Sequence, residues 1–375
     1  MMTKLNYREL KLHRFVREIL QDFPLRFKKE LPDIQMIKMK LVVYNRQRLG
    51  GLLNDGSIVD LNLAYMALLA ERGIARPHAH AYVELPARLL SFIEEGESAL
   101  KASEEAINFA EKGDRKGLRG EKLVYKPEEV KIHAPLPSLA SRIAMAGANF
   151  YDHAAGVAAM IGGKEVTAED IKKDVDEGKR PPWGFWKHAR NVIGPEDPIV
   201  YPARTGRLDY EVEVAAVLGR KGKDIAEEEA MEYVFGYTIL NDISARDQPN
   251  DRGLFYGKNF DTSAPLGPCI VTADELGDPH TLALRLKVNN VTKQEGSMKD
   301  MIRNFPFWIS HLTRDMTFYP GDIISGGTCA GTALDTSPRD AEGKTEPDNF
   351  INPGDILEAW VEKIGTLSNP VVAKQ

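Results

Sequence analysis

The chain has 375 residues, of which 43% are hydrophobic and 28% charged, with a formal net charge of −6. That length supports one large domain or a main domain with a smaller one. The acidic balance argues against a general nucleic-acid surface, while a local basic cleft could still hold an anionic substrate. No apolar run approaches the length of a membrane span, and the N-terminus lacks a signal-peptide core. Cys269 and Cys329 are too few for a disulfide framework or a cysteine zinc site, so a soluble protein of the reducing cytoplasm is expected.

Residues 1–35 are charged, with an amphipathic helical pattern around Leu10 to Leu20 and a break at Pro24, and read as an N-terminal extension. From Met39 the pattern changes to Lys40-Leu41-Val42-Val43-Tyr44, Gly50-Gly51-Leu52-Leu53, an Asn54-Asp55-Gly56 turn and Ser57-Ile58-Val59-Asp60-Leu61. This predicts a small antiparallel meander. Between Pro86 and Lys112, Leu89, Leu90, Ile93, Leu100, Ala106, Ile107 and Ala110 recur at helical spacing and predict one or two helices. Together these make a small N-terminal β domain over 36–125, joined through a solvated connection spanning Gly113 to Pro137. The main domain, 126–375, carries short β-like runs at Glu211 to Leu218, Phe235 to Leu240, Cys269 to Thr272, Leu282 to Val288, Ile323 to Ser325 and Ile356 to Lys363. One clear helix, Ala226 to Tyr233, interrupts them. The pattern predicts a mixed α+β, β-rich closed sheet rather than a Rossmann or TIM alternation.

Within the first of these runs, Leu208-Asp209-Tyr210-Glu211-Val212-Glu213-Val214, side chains alternate, so Glu211 and Glu213 share one face. The run continues as Ala215-Ala216-Val217-Leu218, an apolar strand buried on both faces, where two unpaired carboxylates would be costly unless a cation lies between them. The alternative is a half-exposed strand whose Glu face meets water. A third carboxylate, Asp242, ends the strand Phe235 to Leu240, although Asn241-Asp242 also reads as a turn. Three carboxylates without His or Cys nearby suit Mg²⁺ or Mn²⁺ better than zinc.

Several segments, in order along the chain, resemble the fumarylacetoacetate hydrolase superfamily. They are Gly147-Ala148-Asn149-Phe150-Tyr151-Asp152-His153, Phe185-Trp186-Lys187 with Ile193-Gly194-Pro195, the Asp209-Tyr210-Glu211-Val212-Glu213 strand, and Asn241-Asp242-Ile243-Ser244-Ala245-Arg246-Asp247. Gly257-Lys258-Asn259-Phe260-Asp261, Pro265-Leu266-Gly267-Pro268, Pro320-Gly321-Asp322, Gly327-Thr328-Cys329-Ala330-Gly331 and Asn352-Pro353-Gly354-Asp355 continue the series. The resemblance implies a mixed β-roll or barrel catalytic domain behind a small N-terminal β domain, commonly a homodimer, with Mg²⁺ or Mn²⁺ held by Glu211, Glu213 and Asp242. It implies small 2-oxo acids as substrates and His153 as general base. Lys258 and Arg246 would stabilise developing charge or clamp a carboxylate, and Phe150, Lys187, Gln248 and Thr328 would contact substrate. The activity implied is hydrolysis of a carbon–carbon bond in acylpyruvate-type 1,3-dicarbonyl acids. The same site could serve a 2-keto-3-deoxy sugar acid dehydratase, an oxaloacetate decarboxylase or a dienoate isomerase. A reading of another class is a non-catalytic small-molecule binding protein.

Taken singly, His153 reads as a structural histidine, Lys187, Arg246 and Lys258 as surface charges, and Gly327 to Gly331 as a turn. Some family members place a Glu three residues after the His, where this chain has Gly156. Cys329 stands where many have Pro, and Gln248 sits one residue earlier than the family's Gln. Two segments are long: Val157 to Pro182, expected to form a lid, and Thr332 to Phe350, which carries Asp335, Asp340, Glu346 and Asp348. One of these acids is expected to replace the missing Glu.

Overall fold

The computed structural model describes residues 39–113, 115–162, 165–248, 254–338, 346 and 348–374, so the helical pattern at Leu10 to Leu20 lies outside the described residues. The meander expected after Met39 forms as β1 (Lys40–Tyr44), β2 (Arg48–Leu52) and β3 (Ile58–Asp60), antiparallel in chain order. Asp60 ends β3 and caps α1 (Leu61–Glu71), accepting the Leu63 amide while also receiving the Tyr44 hydroxyl and the Arg48 guanidinium. Its buried carboxylate is thereby satisfied. Helices α2 (Pro77–Glu84), α3 (Leu89–Glu95) and α4 (Glu97–Ala110) follow, the last two in the stretch where helices were expected. The segment read as a connection places β4 (Val124–Tyr125) on β3 and β5 (Ile132–His133) on β1.

Next come β6 (Ile143–Ala146), α5 (Tyr151–Gly162), α6 (Ala168–Asp176) and β7 (Gly184–Lys187). Short strands β8 (Val192–Ile193), β9 (Ile199–Val200) and β10 (Leu208–Asp209) lead into the long pair β11 (Val212–Leu218) and β12 (Val234–Asn241). The helix expected between them is a 3₁₀ segment, Glu227–Tyr233. After β13 (Ser244–Ala245) and α7 (Phe255–Lys258) come β14 (Ala264–Thr272), α8 (Ala273–Leu276), β15 (Ala283–Val288) and β16 (Val291–Ser297). The chain ends with α9 (Phe305–Thr313), β17 (Ile323–Thr328), α10 (Ala333–Thr336), β18 (Ile356–Val361) and β19 (Gly365–Val372). No helix among the described residues is long and apolar enough to cross a membrane.

The main sheet runs β4-β3-β2-β1-β14-β12-β11-β17-β6-β7, and a second sheet runs β16-β15-β18-β19-β9. Because β1 pairs with β14, the N-terminal strands and β11 belong to one sheet. The strand β11 divides two cores: Val212, Val214, Ala216 and Leu218 face one, and Ala215 and Val217 the other. The second core is closed by α1, α3 and α4, through Leu68, Phe92 and Phe109 among others. At Gly236 on β12 the neighbouring strand comes so close that a Cβ would lie 2.4 Å from the Val271 carbonyl oxygen, which explains the bare backbone there.

Candidate functional site

Strand alternation puts Glu211 and Glu213 on the face of β11 shared with Ala215 and Val217, and both are buried, at 4% and 2% exposure. The half-exposed alternative is therefore excluded. Asp242 follows the last residue of β12, where the Asp242 amide donates to the Glu211 carbonyl at 2.8 Å and the Asn241 side chain accepts the Glu211 amide at 3.0 Å. Donor oxygens of Glu211, Glu213 and Asp242 all lie within 4.8 Å of one another.

Three cations face this cage. The Lys258 ammonium sits 2.7 Å from both Glu211 Oε2 and Asp242 Oδ2. Arg246 donates through Nη2 to Glu211 Oε1 and through Nε to Asp209 Oδ2, the latter at 2.8 Å. Lys187 Nζ lies 2.7 Å from Asp242 Oδ1, an ion pair without hydrogen-bond alignment, while donating to the carbonyls of Lys258 and Ser263. Burial opposes charge on Glu211, yet Arg246, Lys258 and His153 outweigh it and hold its carboxyl well below the usual range. Glu213 goes the other way: burial and the charges of Asp242 and Glu211 push it well up, although Ser325 and the Gly327 amide donate to it.

These residues fit a hard divalent cation. The donor set is all oxygen, Asp242 Oδ1 has no hydrogen bond, and the acidic pressure on Glu213 is what a bound positive charge would relieve.

His153 stands in the first turn of α5 with Nδ1 3.0 Å from Asp335 Oδ2 and Nε2 3.8 Å from Glu211 Oε1. Burial lowers its pKa, but the Asp335 charge and hydrogen bond and the Glu211 charge outweigh that, so the imidazole lies above its ordinary value. The acid beside His153 is thus Asp335, on α10. Glu346 and Asp348 are exposed, and Asp340 lies outside the described residues. Gly156, one turn beyond His153, leaves the space that Asp335 fills: a Cβ there would come 2.6 Å from Asp335 Oδ1.

A cavity of about 250 Å³ opens onto His153, Glu211, Glu213, Asp242, Arg246 and Lys258, with Val157, Trp183 and Phe185 on its apolar wall and Thr328 and Gln248 also lining it. Thr328 donates its hydroxyl to the Val212 carbonyl at 2.8 Å and accepts from Gln294 Nε2 at 2.8 Å. Gln248 Nε2 donates to the Arg204 carbonyl at 2.6 Å. Two residues expected to touch substrate do not line the cavity. Phe150 is wholly buried in the hydrophobic core, and the Lys187 ammonium lies behind Asp242, held by backbone carbonyls.

Two residues of the site carried no role in the sequence reading. Asp209 lies inside the quoted strand motif, and its buried carboxylate accepts amides from α10; only its place before an apolar strand marked it. Gln294 had no signal at all, being one amide in a polar hairpin.

Residues 142–372 match the family described as fumarylacetoacetate (FAA) hydrolase, C-terminal. The chain is 34% identical over 332 residues to oxaloacetate tautomerase YisK of Bacillus subtilis (strain 168), covering 88% of this chain and 97% of that one. Among solved structures it resembles a fumarylacetoacetate hydrolase from psychrophilic Exiguobacterium antarcticum, with TM-score 0.64 and 28% identity over 90% of this chain and all of that one, 100%. It also resembles a maleylpyruvate hydrolase from Sphingobium sp. SYK-6 in complex with manganese (II) ion and pyruvate, with TM-score 0.63 and 26% identity over 90% of this chain and 100% of that one. With its sheet-rich α+β fold and buried acidic triad, the chain belongs to the fumarylacetoacetate hydrolase family of enzymes.

Proposed function

We propose that this enzyme interconverts the keto and enol forms of a small 2-oxo diacid of the oxaloacetate class, with Mg²⁺ or Mn²⁺ held by Glu211, Glu213 and Asp242. The observation that carries the reading is the His153–Asp335 pair. Asp335 takes the Nδ1 side of the ring at 3.0 Å, which leaves Nε2 directed at the carboxylate cage as the proton acceptor. A bound divalent cation supplies positive charge that favours an enolate over its ketone.

His153 removes a proton from the carbon beside the 2-oxo group, the electron pair of that C–H bond forms a carbon–carbon double bond, and the carbonyl π pair moves onto oxygen. The proton held on Nε2 then returns to oxygen, giving the enol, or to carbon, restoring the ketone. No carbon–carbon bond breaks. Lys258 and Arg246 add fixed positive charge beside the cavity and complement substrate carboxylates. Support comes from the small cavity and from the tautomerase relative, which this chain matches over nearly its whole length.

A second reading, hydrolysis of an acylpyruvate to an organic acid and pyruvate, is favoured by the hydrolase neighbour whose structure holds manganese and pyruvate. His153 would then activate water. Either reading extends to a homodimer of the cytoplasm.

The test uses purified enzyme with Mg²⁺ or Mn²⁺, following oxaloacetate enol absorbance and, separately, acylpyruvate products by mass. Accelerated enol decay without pyruvate release from acylpyruvates is the expected result. Acylpyruvate cleavage with enol decay at the background rate would replace the first reading by the second. Turnover that survives both EDTA and Glu211→Ala would sink both.

A further inference from the structure

We infer that Asp209 is a positioning residue that sets the carboxylate cage and the general base together. It lies at the end of β10, fully buried, and does not line the cavity. Its carboxylate accepts four hydrogen bonds. Oδ1 takes the amides of Tyr210 at 2.8 Å and Ala333 at 2.7 Å; Oδ2 takes the Leu334 amide at 3.1 Å and Arg246 Nε at 2.8 Å.

Two arms leave this carboxylate. Along the first, Arg246 spends Nε on Asp209 and Nη2 on Glu211 Oε1, so one planar guanidinium fixes the distance between the two acids. Along the second, Ala333 and Leu334 are the first residues of α10, and Asp335 is the third. Holding those two amides fixes the rise and rotation of the turn that presents Asp335 to His153. Asp335 itself accepts the amides of Gly331 and Thr332 at 3.2 Å each, so the turn is pinned from both sides. A buried charge is costly, and packing alone would be served by an apolar residue of similar volume. Donors from Tyr210, α10 and Arg246 converge here because the acid relates two parts of one site.

The inference rests on the site reading above, and its test separates the two. Mn²⁺ binding is measured by calorimetry on the full-length enzyme without substrate, beside kcat and KM at saturating Mn²⁺. In Asp209→Asn the charge paired with Arg246 is lost and the side-chain amide NH2, whichever way it turns, faces two N–H donors, one of them from α10, so both arms loosen. The expected result is Mn²⁺ affinity weaker by about tenfold or more, together with a comparable fall in kcat and little change in KM. Asp335→Asn, which touches the base arm alone, should lower kcat with Mn²⁺ affinity intact. Wild-type affinity, or wild-type kcat at saturating Mn²⁺, in Asp209→Asn would overturn the inference. Should that variant not fold, Ala333→Pro removes one donor at a first helical position where proline is tolerated. It should weaken Mn²⁺ binding although residue 333 lies outside the cage, and unchanged binding there overturns the inference equally. A wild-type enzyme that binds no Mn²⁺ would instead defeat the site reading itself.

Discussion

His153 draws its orientation from Asp335 Oδ2, and the space for the other oxygen of that carboxylate, Oδ1, comes from the absent side chain at residue 156. His153→Ala should therefore lower kcat by about 10²–10⁴-fold, the usual contribution of a positioned base. Gly156→Ala should act in the same direction without touching substrate, because its Cβ would meet Asp335 Oδ1 at 2.6 Å; steady-state kinetics that match wild type would count against the pairing. Asp247, in the loop that carries Arg246 and Gln248, gives a pH signature. Burial raises its pKa, but the Thr205 hydroxyl, the Gly206 amide and Gln248 outweigh this and hold it below the ordinary value. Its contribution is present above the unfolded pKa, near 4, and is lost as pH falls through the lower folded value. The melting-temperature gap between wild type and Asp247→Asn should be open at pH 7 and close below about pH 4. After solvent screening that gap corresponds to no more than about 1 kcal/mol. At this scale the buried carboxylate cluster was legible in part, since strand parity alone placed Glu211 with Glu213. The dyad acid was narrowed to four candidates and no further, because Asp335 and His153 meet across 182 positions of chain.

Strands carried most of the pattern that could be read. Runs such as Ile323 to Ser325 and Phe235 to Leu240 lie inside β17 and β12, since short stretches rich in apolar, β-branched and aromatic residues that end at turn-forming residues have few other solutions. Helices were harder. In α1 the buried residues Leu61, Asn62, Ala64, Tyr65, Ala67, Leu68 and Leu69 ring much of the axis, which erases the one-sided periodicity a helix usually shows, and the Ala- and Gly-rich α5 has no polar stripe to set against an apolar one. Contacts between elements were invisible. Gln294 reaches from β16 in the second sheet to accept the Val212 amide at 3.1 Å and to donate to Thr328 Oγ1 and the Cys329 carbonyl, both at 2.8 Å. Gln294→Leu strands a buried amide on the strand that carries Glu213, at a cost of about 1–3 kcal/mol, and thermal denaturation should report it as a melting point several degrees lower. Gly236→Ala should destabilise by a similar route, wedging β12 from β14 against the Val271 carbonyl.

Across the whole molecule, the pairing of β1 with β14 makes the N-terminal strands part of the sheet whose other strands bear the site, so metal binding and global stability should be linked. Saturating Mn²⁺ or Mg²⁺ should raise the melting temperature, by the equivalent of about 2.7 kcal/mol at a hundred times Kd, and EDTA should reverse it. Glu213→Ala should abolish the shift; a shift of wild-type size in that variant would place the ion elsewhere. The interior of the site carries a further consequence. Asp209, Glu211, Glu213, Asp242 and Asp335 are five buried or nearly buried carboxylates, and Lys187, Arg246 and Lys258 are the lysine and arginine side chains paired with them. Acids outnumber cations there, and burial together with the charges of Asp242 and Glu211 pushes Glu213 well up. The crowded acids therefore favour a hard cation at the cage before its radius matters. Mg²⁺ and Mn²⁺ would both answer that excess of acid, and the choice between them would pass to the supply of each ion around the enzyme.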